Sequence, residues 1–101
     1  INKEDPEANL WFGFSLSEGG GQKEAQPYLD KAIKLNVQEA YLSSANNYIS
    51  MEQKKNAIQT LKNYKVKYPS EAEVADRLIQ EIEKQGRYNV WQIMKNPALA
   101  Q

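Results

Sequence analysis

Apolar residues recur along most of the chain at the spacing of an amphipathic helix. Between residues 25 and 33 they stand at i, i+3, i+4, i+7 and i+8, the spacing that places Ala25, Leu29 and Ala32 on one helical face. Later segments repeat this pattern. We therefore predict five helices and a short sixth segment, at about 6–17, 23–35, 38–50, 54–68, 70–85 and 88–95.

Residues that begin and end helices separate these segments. Asp5 before Pro6 is typical of an N-cap followed by proline at the first helical position. Gly19 opens a run of three glycines that ends the first helix. Ser70 and Glu73 have the spacing of a capping box, which predicts that the fifth helix begins there.

Pro27 is the one residue that conflicts with the helical pattern of the second segment. A proline is tolerated in the first turn, because the N–H groups there have no partner within the helix. We therefore expect the second helix to begin near Lys23, and a kink if it begins earlier.

The composition favours helix over strand. Thr occurs only at Thr60 and valine only four times, whereas Ala, Leu, Gln, Glu and Lys are abundant. Every connection is short, so neighbouring helices must lie antiparallel. The sequence therefore predicts an all-α fold.

The chain aligns with itself at a spacing of 32 residues and then of 34, which indicates an internal repeat. Pairs 32 apart are Gly13 with Ala45, Leu16 with Tyr48, Ala25 with Ala57, Leu29 with Leu61, Ala32 with Tyr64 and Val37 with Pro69. Pairs 34 apart are Ala45 with Ile79, Tyr48 with Ile82 and Glu52 with Gly86. Two helices per repeat follow from this period.

This pattern resembles the tetratricopeptide repeat. The matching positions are Phe12, Gly13, Gly20, Ala25, Leu29 and Ala32 in the first unit, and Ala45, Tyr48, Ala57, Leu61 and Pro69 in the second. The resemblance implies a single domain of antiparallel helix pairs stacked in a short right-handed superhelix. Its units would be residues 6–37, 38–71 and an incomplete third unit or capping helix with a tail at 72–101, where Trp91 and Pro97 depart from the pattern.

The resemblance also implies a binding surface, because the first helix of each pair lines a concave groove in that family. By position the groove residues are Leu10, Phe14, Ser17, Leu42, Asn46, Ile49 and Arg77. The basic clamp by which some members hold a C-terminal carboxylate is not reproduced, since Leu10, Phe14 and Ser43 stand where Lys and Asn are needed. Recognition of a chaperone tail is therefore disfavoured.

Two adjacent asparagines in the third helix, Asn46 and Asn47, are unusual because asparagine is a poor helix former. Two interpretations are open: a buried hydrogen bond to a neighbouring helix, or a contact with a bound peptide. The second interpretation predicts that Phe14→Ala and Asn46→Ala each weaken partner binding without loss of helix.

Composition argues against several other functions. The chain of 101 residues contains no Cys and no His, so it lacks a thiolate, an imidazole base and the usual zinc ligands. With 13 basic and 13 acidic residues the formal net charge is zero, which disfavours nonspecific nucleic-acid binding. No segment approaches the ~20 apolar residues of a membrane span. We expect no catalytic activity, no metal, no cofactor and no membrane insertion.

The predicted function is a noncatalytic protein–protein interaction module that binds a peptide or a partner helix. Two alternatives stay open: a helical-repeat RNA-binding module, suggested by Lys62, Lys65 and Lys67 beside Tyr64 and Tyr68, and an accessory domain of a larger enzyme. In the RNA alternative the tyrosines would face the ligand, but their spacing places them on the packing stripe. The 67–70 junction also resembles repeats of bacterial envelope assembly proteins.

The C-terminal segment carries a further expectation. Ala75, Leu78 and Ile82 would face water at the end of the stack, and Trp91 within the segment 88–95 is available to cover them. The chain begins at Ile1, which suggests a fragment or a processed protein. Cytoplasmic and periplasmic locations are both compatible with the absence of cysteine.

Overall fold

A computed structural model of the chain describes residues 3–85, which form an all-α fold. The helices are α1 (Pro6–Glu18), α2 (Gln22–Lys34), α3 (Glu39–Ser50), α4 (Lys54–Lys67) and α5 (Ala72–Gln85), with a 3₁₀ turn at Pro69–Glu71 before α5. Each helix packs against the next along the chain, and α1 also contacts α3. The predicted all-α fold class is confirmed. The predictions for the segment 88–95 and for Trp91 lie outside the described residues.

The predicted N-terminal cap of α1 is present. Asp5 has extended backbone dihedrals, and its Oδ1 accepts a hydrogen bond of 3.0 Å from the Ala8 N–H, while Pro6 occupies the first helical position. The cap satisfies one of the N–H groups that a helix leaves without a partner. The boundary of α1 is therefore determined by local sequence alone.

α1 and α3 end in the same backbone conformation. Gly20 and Glu52, which are 32 residues apart, both have positive φ, at 95° and 60°. In each case the following N–H closes the end of the helix: Gly21 N donates to Leu16 O at 2.7 Å and Gln53 N to Tyr48 O at 2.8 Å. The same left-handed turn thus ends α1 and α3, and it also ends α2, where Asn36 has a φ of 66° and the Val37 N–H donates to Ala32 O at 3.0 Å.

The core follows the repeat as well. Ala25, Leu29, Ala57 and Leu61 are all completely buried, so equivalent positions of α2 and α4 face inward. One cluster of buried side chains lies in α1 and α2 and includes Ala40 at the start of α3, and a second, larger one spans α3, α4 and α5. Ile33 packs against both clusters, which makes the core continuous between the repeats.

Two local predictions need correction. The side chain of Ser70 forms no hydrogen bond to the backbone of α5, so the predicted capping box is absent; a 3₁₀ turn precedes the helix instead, and the Glu71 N–H donates to Tyr68 O at 2.8 Å. Pro27 lies in the second turn of α2, not the first, because the helix begins at Gln22. Proline has no N–H, so the carbonyl of Lys23 does not receive the hydrogen bond that residue 27 would otherwise donate within the helix.

Gly13 marks a close approach of α1 to α2. A Cβ at this position would lie 2.9 Å from Cγ and Cδ2 of the fully buried Leu29 and 3.2 Å from Cβ of Tyr28. We expect Gly13→Val to lower the free energy of unfolding by about 1–3 kcal/mol through overpacking. Urea denaturation of both proteins measures the difference, and an unchanged midpoint would show that the two helices are not closely packed at Gly13.

Candidate functional site

The predicted groove residues lie mostly inside the protein. Five are buried and Phe14 is half-buried, whereas Arg77 is exposed and pairs with Glu73 at 3.1 Å. The five buried residues are Leu10, Ser17, Leu42, Asn46 and Ile49, each no more than 9% exposed. Burial does not test whether these residues bind a partner, but a partner could reach them only after the groups that cover them moved. Their role therefore stays a prediction.

Asn47, the second residue of the asparagine pair, has a structural explanation. Asn47 is completely buried, and its Oδ1 accepts a hydrogen bond of 2.6 Å from Ser17 Oγ. Its Nδ2 donates to Gln22 O at 2.8 Å and to Gln26 Oε1 at 2.9 Å. The hypothesis of a buried hydrogen bond to a neighbouring helix is confirmed for Asn47, which connects α3 to both helices of the first pair.

A cleft of about 330 Å³ opens between α2 and α4, with α3 as its floor. Its volume is at the lower end of the range of ligand sites. The floor consists of side chains that are buried or half-buried, including Tyr41, Ser44 and Tyr48. The walls contribute Asp30 and Ile33 from α2, and Asn56, Gln59, Thr60 and Asn63 from α4.

The wall from α4 is an uncharged stripe on a strongly basic helix. Asn56, Gln59, Thr60 and Asn63 stand at i, i+3, i+4 and i+7, so they share one face of α4. The helix otherwise contains five lysines and no acidic residue. This spacing of neutral polar residues is the signal in the sequence that could have predicted the cleft.

Several polar atoms of this cleft have no hydrogen-bond partner among residues 3–85. Gln59 Nε2 donates to Asn63 Oδ1 at 3.0 Å, which leaves Gln59 Oε1 as a free acceptor and Asn63 Nδ2 as a free donor. The hydroxyl of Tyr48 makes no hydrogen bond within the described chain either. The cleft therefore presents a donor and an acceptor one helical turn apart, beside an aromatic floor.

Asp30 is the only carboxylate among the described residues that line the cleft. Its Oδ1 accepts a hydrogen bond of 2.8 Å from Gln26 Nε2, and the same amide donates to Ser44 Oγ at 2.7 Å. Burial raises the pKa of the Tyr48 hydroxyl, and the negative charge of Asp30 raises that pKa further. The cleft is thus an environment that favours the neutral phenol.

The tyrosines predict a loss of stability in alkaline solution. Burial also raises the pKa of Tyr41 and Tyr64, so the folded protein holds these protons more tightly than the unfolded chain does. Their contribution to stability is complete below the unfolded pKa of about 10 and is lost as pH rises through the higher folded pKa. Melting temperatures measured between about pH 8 and pH 11 should fall less steeply for Tyr48→Phe than for the parent. If the melting temperatures of Tyr48→Phe and of the parent fall equally steeply with pH, this explanation is contradicted.

The structure bears on three further expectations. No group of three His, Cys, Asp or Glu residues that could hold a metal ion occurs within residues 3–85. No helix in that range is long and apolar enough to cross a membrane. Tyr64 is buried in the core, whereas Lys62 and Lys67 are exposed, so the tyrosine lies on the packing stripe as expected.

Comparisons of the chain with protein-family models, with curated protein sequences and with solved structures find no match. The resemblance to tetratricopeptide repeats therefore stays a prediction, and the all-α fold is the level at which the architecture is established.

Proposed function

We propose that this protein is a noncatalytic interaction module that binds an extended peptide segment of a partner protein. The observation that carries the proposal is the cleft between α2 and α4, where neutral amide groups without partners stand beside tyrosine rings. The continuous helical core supports the cleft, because α3 forms its floor and packs against α1, α2 and α4.

The free groups of the cleft suit a peptide backbone. Each peptide unit offers one N–H donor and one C=O acceptor, and Gln59 Oε1 with Asn63 Nδ2 offers the complementary pair. The uncharged stripe from Asn56 to Asn63 covers about 10 Å of helix, which is the length of about three extended residues. Tyr48 adds an apolar ring surface with a polar tip, a combination that is common at interfaces.

The chemistry of the cleft gives reasons to propose binding rather than catalysis. The chain has no His or Cys, and the described lining contributes one carboxylate, whereas glycosidase-type acid–base chemistry uses two carboxyl groups that face each other. The same lining contains no lysine or arginine, so a nucleic-acid backbone finds no counter-charge there. A neutral ligand segment fits these properties best.

Selection of peptides from a displayed random library, followed by titration of an enriched peptide, tests the proposal. We expect Gln59→Ala/Asn63→Ala to weaken binding about tenfold or more, because two backbone hydrogen bonds are lost at about 1 kcal/mol each. Lys62→Ala is the matched control, since Lys62 is exposed on the same helix but does not line the cleft. Binding should depend weakly on salt.

Three outcomes would contradict the proposal. They are a library that yields no peptide that binds, a double variant that binds as well as the parent, and a loss of binding in Lys62→Ala as large as that in the double variant. If Phe14→Ala alone reduces affinity, the peptide contacts α1 and does not occupy the cleft. A steep salt dependence together with loss on Lys62→Ala would favour the RNA-binding alternative.

A further inference from the structure

A second surface, on α1, combines aromatic and acidic side chains, of which Phe14 is half-buried and the other three are exposed. Glu7, Trp11, Phe14 and Glu18 stand at i, i+4, i+7 and i+11, which places all four on one side of the helix. Trp11 is 55% exposed, and its ring meets that of Phe14 edge to face with 6.0 Å between centroids. We call these four residues the α1 stripe.

The segment that contains the α1 stripe carries only acidic side chains among its charged residues. Residues 4–22 include four acidic residues and no basic residue. Two of these acids are engaged locally, because Glu4 pairs with Lys31 at 3.2 Å and Asp5 caps the helix. The other two, Glu7 and Glu18, are exposed and have no ion pair within the described chain.

The arrangement differs from an ordinary solvated helix face. Leu10 and Gly13 already direct one side of α1 into the protein, so the stripe is a second apolar side of the same helix. Tryptophan is enriched in protein–protein interfaces, where it often contributes much of the binding energy. Carboxylates at both ends of the aromatic pair then determine which partners can dock.

We propose that the α1 stripe docks an amphipathic helix of a partner protein whose apolar face carries a lysine or arginine at each end. Glu7 and Glu18 are eleven residues apart, which is about 16 Å along the helix axis. A partner helix that runs alongside α1 matches them with two basic residues about eleven positions apart. Its apolar residues between them cover Trp11, whose ring also favours a nearby cation.

This surface goes beyond the proposed peptide cleft and is separate from it. The cleft is lined by α2, α3 and α4, and no residue of α1 contributes to it. The ligand classes also differ, because the cleft suits a neutral extended segment and the stripe suits a basic helical one. Each proposal can therefore fail while the other stands.

The test uses the full chain and two synthetic helical peptides of about 18 residues. Both carry a leucine stripe; one has lysines about eleven positions apart at the ends of the stripe, and the other has glutamates in their place. Fluorescence anisotropy of the labelled peptides measures the dissociation constants. We expect the basic peptide to bind, and the acidic peptide to bind at least about tenfold more weakly.

Variants identify the surface that binds. Trp11→Ala should weaken binding of the basic peptide about tenfold or more, and Glu7→Gln/Glu18→Gln should weaken it severalfold and reduce its salt dependence. Val66→Ala is the control, since Val66 is 77% exposed on α4 and should leave binding unchanged. Circular dichroism checks that each variant keeps its helix content.

The proposal is overturned if the basic peptide fails to bind at about 1 mM, if both peptides bind equally, or if Trp11→Ala binds like the parent. If Gln59→Ala/Asn63→Ala loses binding of the basic peptide and Trp11→Ala keeps it, the peptide binds in the cleft. That result would also overturn the proposal for the α1 stripe.

Discussion

Replacement of Asn47 by alanine should lower the free energy of unfolding by about 2–4 kcal/mol. The completely buried amide makes three hydrogen bonds, of 2.6, 2.8 and 2.9 Å, to Ser17, Gln22 and Gln26. Alanine leaves the buried Ser17 hydroxyl and the half-buried Gln26 amide oxygen without this partner. The higher helix propensity of alanine offsets about 0.7 kcal/mol at most, so the loss of hydrogen bonds dominates.

Urea denaturation followed by circular dichroism measures this loss. Asn63→Ala is the matched control, because Asn63 is an exposed asparagine in the same type of helix and should change stability by no more than about 0.5 kcal/mol. If Asn47→Ala and Asn63→Ala unfold at the same urea concentration, Asn47 does not connect the first two helices to α3.

Leu29→Ala and Leu61→Ala should each destabilise the protein by about 2–5 kcal/mol. The two leucines are equivalent positions of the two repeats, and both are completely buried. Because each substitution removes three carbon atoms, one methine and two methyl groups, from a closely packed site, the lost burial and the cavity both contribute. Val66→Ala, at a position that is 77% exposed, should have little effect.

The same pair of variants tests whether the repeats unfold together. Ile33 packs against the core clusters of both repeats, so we expect one cooperative transition in each variant. Two separated transitions in Leu29→Ala would contradict a continuous core, and effects as small as that of Val66→Ala would contradict the burial of both leucines.

The helices and the core were predictable because they depend on local patterns. The stripe containing Ala25 and Leu29 needs only helical periodicity to be recognised, and the 32-residue spacing then identifies Ala57 and Leu61 as its equivalents. Asp5 and Pro6 mark the start of α1 by chemistry that acts within a single turn. Boundaries were less accurate where two local structures compete, as at Ser70, where a 3₁₀ turn replaced the capping box.

The site was harder to predict because it depends on packing between helices. A residue such as Leu42 can line an open groove or lie buried, and helical periodicity does not distinguish the two. The cleft is formed by amides that look like solvated residues until α2 and α4 bring them together over Tyr48. Asn47 could be predicted as unusual, but its three partners lie on two other helices.

The most direct test of the proposed function is to map where an enriched peptide binds, by following backbone amide chemical shifts of the labelled protein during titration. We predict that the largest changes occur at Tyr48, Gln59 and Asn63, around the cleft between α2 and α4. Changes confined to Leu10, Leu42 and Ile49 would place the peptide in the predicted groove and would contradict the assignment of the cleft.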